Sequence, residues 1–119
     1  MVQNMTFLGL VVKDVAASTG YYQKLGLSVN EAQSIPNFYT QFDLDGGAVF
    51  GLINGFEQDG INQPFDAALL IPDIDATYEQ WQAAGVELLS EPRDMPFGRT
   101  FLFRTPDGHI LRAYRPPTQ

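Results

Sequence analysis

The sequence predicts an α+β fold of two βαβββ modules, from an internal repeat, one helix signal per half and glycine turns at matching places. Leu10-Val11-Val12-Lys13-Asp14-Val15-Ala16-Ala17-Ser18 returns as Leu69-Leu70-Ile71-Pro72-Asp73-Ile74-Asp75-Ala76-Thr77. The match runs on through Tyr22 and Trp81 to Gly26-Leu27 and Gly85-Val86, at a constant offset of 59 residues. A period used only twice is not a solenoid, since stacked arrays need at least three units to cover their cores. It describes a module that pairs with a copy of itself, so a ligand is expected between the copies.

The elements follow in order. Met5–Val12 is apolar and β-branched, a buried strand. Asp14 can cap a helix reaching Leu25, with Val15, Tyr22 and Leu25 on its apolar face and Gly26 as the stop. Gly20 inside this helix costs about 1 kcal/mol relative to Ala. Strands are expected near Ser28–Ala32, Phe38–Leu44 and Ala48–Ile53, with Asp45-Gly46-Gly47 as a hairpin turn. In the second half Asp66–Ile71 is a strand. Asp73 or Asp75 caps a helix whose Ile74, Tyr78 and Trp81 share a face, and Gly85 ends it. Strands at Glu87–Leu89, Arg99–Thr105 and Ile110–Tyr114 complete the order, with Pro106-Asp107-Gly108 as the last turn. Residues 54–64 read as a linker between module 1 (5–53) and module 2 (65–115), all within one domain of 1–119.

Composition narrows the function classes. The 119 residues carry a net charge of −7, and residues 1–92 hold twelve of the fourteen acids with only Lys13 and Lys24 against them. Most of the surface would repel phosphates, which argues against nucleic-acid binding. No apolar run approaches the ~20 residues of a membrane span, and no signal-peptide pattern opens the chain. The absence of cysteine removes thiol chemistry and suits a cytoplasmic protein.

Strand side chains alternate, so each strand shows one face to its helix and the other to the trough expected between modules. The repeat pairs Phe7 with Asp66, and aligning Gly47 with Gly108 pairs Gly51 with Arg112. Alternation groups Phe7, Gly9 and Val11, then Phe38, Thr40 and Phe42, then Val49, Gly51 and Ile53, each set on one face of its strand. The family pattern given in the next paragraph implies that this face is the trough side. The second half adds Asp66, Ala68, Leu70, Thr100, Leu102, Arg104, Arg112 and Tyr114. Phe101 and Phe103 should face Trp81 and the helix. The competing reading is that Phe38 and Phe42 are ordinary core. For Asp66 and Arg112 the competing reading is a buried ion pair without function, which contributes little net stability.

Val12-Lys13-Asp14, Tyr21-Tyr22, Leu25-Gly26-Leu27, then Phe97-Gly98-Arg99, Phe101, Phe103 and Pro106-Asp107-Gly108 together resemble the vicinal oxygen chelate superfamily. This group contains glyoxalase I, bleomycin-resistance proteins and extradiol dioxygenases. The resemblance spans essentially residues 5–115. It implies an eight-stranded half-open barrel, commonly as a homodimer, and in the metal enzymes four strand positions ligating a divalent ion. Those positions map onto Phe7, Gly51, Asp66 and Arg112. Phenylalanine and glycine side chains cannot ligate, arginine repels a cation, and one carboxylate does not make a metal site. His109, the sole histidine, follows a turn and has the opposite parity to Arg112. The family's drug-binding members often carry an aromatic before the glycine of the Glu91–Gly98 loop, which marks Phe97.

The reading that follows is a metal-free, cofactor-free binding protein like the bleomycin-resistance branch, sequestering a small, partly aromatic compound. Phe7, Phe38, Phe42 and Tyr114 would supply stacking surface, Phe97 would overhang the mouth on its loop, and Gly51 and Leu102 would line the trough. Asp66, Arg104 and Arg112 would fix its polar ends. The rivals are a metal-dependent glyoxalase-like lyase, isomerase or dioxygenase, a metal-free enzyme using Asp66 or Tyr114 as acid or base, and a dimeric scaffold with a filled trough.

Overall fold

A computed structural model describes residues 2–54 and 63–117. The chain divides into two compact units, Thr6–Asp66 (the first unit) and Met1–Met5 with Ala67–Gln119 (the second). Residues 55–62 of the expected linker lie outside the described residues. Among the described residues no helix is long and apolar enough to cross a membrane.

The first unit contains most of β1 (Asn4–Val12), then α1 (Val15–Lys24), β2 (Tyr39–Asp43) and β3 (Val49–Asn54). Asp14 caps α1 as expected, its carboxylate accepting from the Ala17 amide at 3.0 Å, a contact worth about 1 kcal/mol. Gly26 then takes φ +96° and closes the helix end. Leu25 departs from expectation, being 61% exposed. It follows Val15 by ten residues, which turns it roughly 80° away around a helix of 3.6 residues per turn.

β1 and β3 run parallel with Gly9 beside Gly51, and β2 returns antiparallel with Gln41 opposite Gly51. The strand expected at Ser28–Ala32 is replaced by a single bridge, Val29 to Phe42, and a 3-10 turn at Glu31–Gln33. Local side-chain bonds explain the change. The Asn30 carboxamide accepts from the Gln33 amide at 3.2 Å, and the Gln41 amide donates to the Ser34 hydroxyl at 2.9 Å.

Tyr22, Phe42 and Phe50 form this unit's aromatic core, with ring centroids 5.0–6.1 Å apart. Leu52 and Phe42 are fully buried. Thr19 donates its hydroxyl to the Val15 carbonyl at 2.7 Å, so the 2.8 Å contact with Thr40 must have Thr40 as donor. That bond ties α1 to β2.

The second unit contains most of β4 (Phe65–Leu70), then α2 (Ile74–Ala83), β5 (Glu87–Leu88), β6 (Arg93–Met95), β7 (Gly98–Arg104) and β8 (Ile110–Arg115). β4 and β8 are parallel with Ala68 beside Arg112, and β8, β7 and β5 follow as antiparallel neighbours. The repeat therefore holds at the level of register. Ala68 and Arg112 stand in this unit where Gly9 and Gly51 stand in the other.

Asp73 occupies the N-cap of α2 without a side-chain cap bond, while Asp75 in the first turn pairs with Arg99 at 2.8 Å. Ile71, Ile74 and Phe101 are fully buried. Trp81 meets Phe103 at 4.9 Å and Phe101 at 5.7 Å, edge to face, and Tyr78 meets Phe101 at 5.2 Å. Phe101 and Phe103 thus face the helix, as alternation predicts. The expected loop Glu91–Gly98 is instead partly a hairpin, because β6 pairs with β7 from Arg93 opposite Thr100 to Met95 opposite Gly98. Pro96 and Phe97 form its tip.

Candidate functional site

In the second unit, the sheet face away from α2 carries Thr100 opposite Tyr114 and Leu102 opposite Arg112. Thr100 and Leu102 are buried, and Arg112 is only 4% exposed. Its guanidinium reaches toward the Thr100 hydroxyl at a long 3.5 Å, a weak bond at that distance. Phe97, at the hairpin tip, covers the same group, with 5.5 Å from Cζ to the ring centroid. A cation over an aromatic face is attracted by the ring quadrupole, more strongly where water is excluded.

Tyr114 lies 6.3 Å from Phe97, ring to ring, and burial raises the pKa of its hydroxyl. Gly98 makes this arrangement possible. It adopts φ +144°, and a Cβ there would strike the Arg115 carbonyl and sit 2.7 Å from the Tyr114 ring. Arg104, expected to fix a guest, bonds Glu87 at 2.9 Å instead. The reason is pairing of the short strand β5, which places Glu87 directly opposite Arg104.

In the first unit, the Phe7 ring lies against the backbone of both Gly9 and Gly51. A Cβ at Gly9 would come within 2.9 Å of that ring, and one at Gly51 within 3.0 Å. Tyr39 adjoins the same place, 2.8 Å from the position of a Gly51 Cβ. A chain of side-chain bonds runs from it. The Tyr39 hydroxyl donates to Gln41 at 2.9 Å, Gln41 donates to Asp43 at 2.8 Å, and Asn30 donates to Asp43 at 2.7 Å. Burial, then Asp43, then Asp66 push the Tyr39 hydroxyl up to about 12.

Two first-unit expectations change. Phe42 does not face away from the helix, because it packs against Tyr22 and Phe50 in the core. Phe38 precedes β2 and is 46% exposed, with its amide bonded to the Ile35 carbonyl in the turn at 3.0 Å. The whole strand is turned over relative to expectation, so Tyr39, Gln41 and Asp43 take the face assigned to Phe38, Thr40 and Phe42. The second hairpin held the signal. The offset of 61 that aligns Gly47 with Gly108 also carries Thr100, Leu102 and Arg104 back onto these three residues.

The residues at the four expected metal-ligand positions do not suit a divalent cation. Phe7 and Gly51 offer no donor atom and Arg112 is cationic. No group of three or more His, Cys, Asp or Glu able to hold a metal occurs among the described residues. His109 is exposed beside its turn.

This arrangement has known relatives. The chain belongs to the Glyoxalase/Bleomycin resistance protein/Dioxygenase superfamily, whose sequence profile matches residues 4–112. It is 29% identical over 110 residues to the phenazine antibiotic resistance protein EhpR of Enterobacter agglomerans, covering 86% of this chain and 84% of that one. The Mn(II)-bound glyoxalase from Novosphingobium aromaticivorans is 27% identical, with a TM-score of 0.70, over 96% of this chain and 39% of the other. Methylmalonyl-CoA epimerase from Mycobacterium tuberculosis shares the fold alone, with a TM-score of 0.76 and 19% identity over 98% of this chain and 90% of its own.

Proposed function

We propose that this chain is a metal-free binding protein that sequesters a small, partly aromatic compound. The observation that carries the reading is Phe97, a 41% exposed ring at a hairpin tip, held over the buried guanidinium of Arg112. A planar guest stacking on such rings gains about 0.5–1.5 kcal/mol per contact beyond burial. Apolar walls with a few polar groups are the usual make-up of small-molecule sites. The relative named for phenazine resistance suggests the chemical class, since phenazines are planar and aromatic.

Phe97, Leu102, Arg112 and Tyr114 in the second unit remain in the proposed contact set. Phe7, Gly51 and Asp66 remain as candidate contacts on the first unit's own sheet face, while Phe38, which shares the parity of the turned-over Thr40 and Phe42, does not. Phe42 leaves the set for the core, and Arg104 is engaged by Glu87. The same reading has the protein act in the cytoplasm as a homodimer, which sedimentation of the purified chain would check.

Calorimetric titration with phenazine and phenazine carboxylate tests the proposal. Binding by wild type, weakened several-fold in Phe97→Ala at unchanged melting temperature, is the expected result. No binding by either compound overturns it. The rival is a metal-dependent lyase, isomerase or dioxygenase, and its donor set is poor here. Elemental analysis of metal-replete protein should find no stoichiometric Zn, Mn, Ni or Fe; one ion per chain would revive the rival.

A further inference from the structure

The bond sequence from Tyr39 to Asp43 has only one possible direction. A carboxylate can only accept, so the Gln41 group facing Asp43 at 2.8 Å must be its amide nitrogen. The Gln41 oxygen is then left facing Tyr39, which must donate its proton at 2.9 Å. Asn30, donating to the other Asp43 oxygen at 2.7 Å, holds the carboxylate end in place. The phenolic proton is therefore committed, and the Tyr39 oxygen is left to present its lone pairs as an acceptor.

Its surroundings favour a particular guest. Asp43 and Asp66 lie near enough to raise the energy of a negative charge on this hydroxyl, and the same field favours a positive one. The Phe7 ring adjoins, since the place of a missing Gly51 Cβ lies 2.8 Å from Tyr39 and 3.0 Å from Phe7. An aromatic face next to an oriented acceptor matches a flat ring bearing an N–H group.

We infer that the Tyr39 hydroxyl oxygen, oriented through Gln41 by Asp43, is a specificity-determining acceptor for the N–H group of a cationic aromatic guest. The inference rests on the proposed binding of aromatic compounds and extends it to the first unit's sheet face. Gln41 and Asp43 are positioning residues that act through Tyr39.

The test compares three guests of similar size by calorimetry: aminoacridine, which is cationic and carries N–H donors; N-methylacridinium, cationic without a donor; and methylacridine, neutral without one. Wild type should bind aminoacridine roughly tenfold or more tightly than N-methylacridinium, as expected for a charge-assisted hydrogen bond. Tyr39→Phe, which keeps the ring, should erase that advantage while leaving the other two affinities close to wild type. Gln41→Ala, which frees the hydroxyl to rotate, should reduce the advantage without abolishing it. Equal binding of the three guests by wild type, or an advantage that survives Tyr39→Phe, overturns the inference while aromatic binding stands. An equal loss for all three guests in Tyr39→Phe assigns the residue to packing and also overturns it. If no guest binds wild type the inference is overturned, and the phenazine titration decides separately whether the reading it rests on stands.

Discussion

The ring of Phe97 covers the guanidinium of Arg112, with 5.5 Å between Cζ and the ring centroid. The ring comes from a hairpin tip and the cation from the middle of a strand, so a partly exposed aromatic rests on a buried guanidinium. Removing each partner should have a different consequence. Phe97→Ala should leave the melting temperature nearly unchanged, because much of its area already meets water. Arg112→Ala should destabilise the fold, because a 4% exposed side chain leaves an unfilled polar space on a face shared with Thr100 and Leu102. Thermal melts of the two variants side by side check this; equal losses would show that Phe97 is a structural residue.

Phe42 and Phe101 belong to the helix-facing cores of their own units. Each is fully buried, and each meets aromatic side chains from the helix of its unit. Replacement by Ala should cost about 3–5 kcal/mol at either position. Denaturant titration measures the loss. A Phe42→Ala protein of wild-type stability would place that ring outside the core.

Tyr39 should be visible in alkaline titration. Its hydroxyl is raised from 10.0 to about 12 by burial, Asp43 and Asp66. A raised acid keeps its proton in the folded state after the unfolded chain has released it. The associated stability is therefore complete below the unfolded pKa and is lost as pH rises from about 10 toward 12. Tyrosinate absorbance should show late ionisation from Tyr114, which burial also raises, and from a second late group that disappears in Tyr39→Phe. Its persistence in that variant would assign the shift to another tyrosine.

The ion pair between Asp75 and Arg99 makes the opposite pH prediction. Arg99 bonds both Asp75 oxygens, at 2.8 and 3.0 Å, and Asp94 at 3.1 Å. Its hydrogen bonds hold the Asp75 carboxyl below the usual carboxylate range. The contribution should be present above the unfolded carboxylate pKa and lost as pH falls through the lowered folded value. Asp75 is exposed, so solvent limits the effect to at most about 1 kcal/mol. Comparing Asp75→Asn with wild type at neutral and acidic pH checks the sign, and a larger difference in acid would contradict it.

Much of the fold was legible because its signals are local. Asp14 and Gly26 mark the ends of α1 in any context, and the repeat that pairs Gly9 with Ala68 reappears as matching strand registers within each unit. Phe101 and Phe103 share one strand parity, and the family pattern supplied the phase that turns them toward Trp81 and Tyr78. Residues 28–32 were less readable, because Asn30 and Ser34 offer the backbone side-chain partners that compete with a strand ladder.

The sequence by itself determined which residues alternate together on each strand, where the turns fall and which ligand-type donors are missing. The tertiary structure decided which way β2 faces, a phase that the residues of β2 taken alone leave open. Alternation has a period of two residues and says nothing about phase, so Phe38 and Phe42 suited a guest-binding wall as well as a core. The choice came from a partner distant in sequence. Pairing with β3 sets Phe42 opposite Phe50, against Tyr22 of α1. That places Tyr39, Gln41 and Asp43 on the other face, where the phenol is tied to the carboxylate through an amide. Arg104 was settled in the same way, since the charge it meets belongs to β5 and is brought beside it only by sheet pairing.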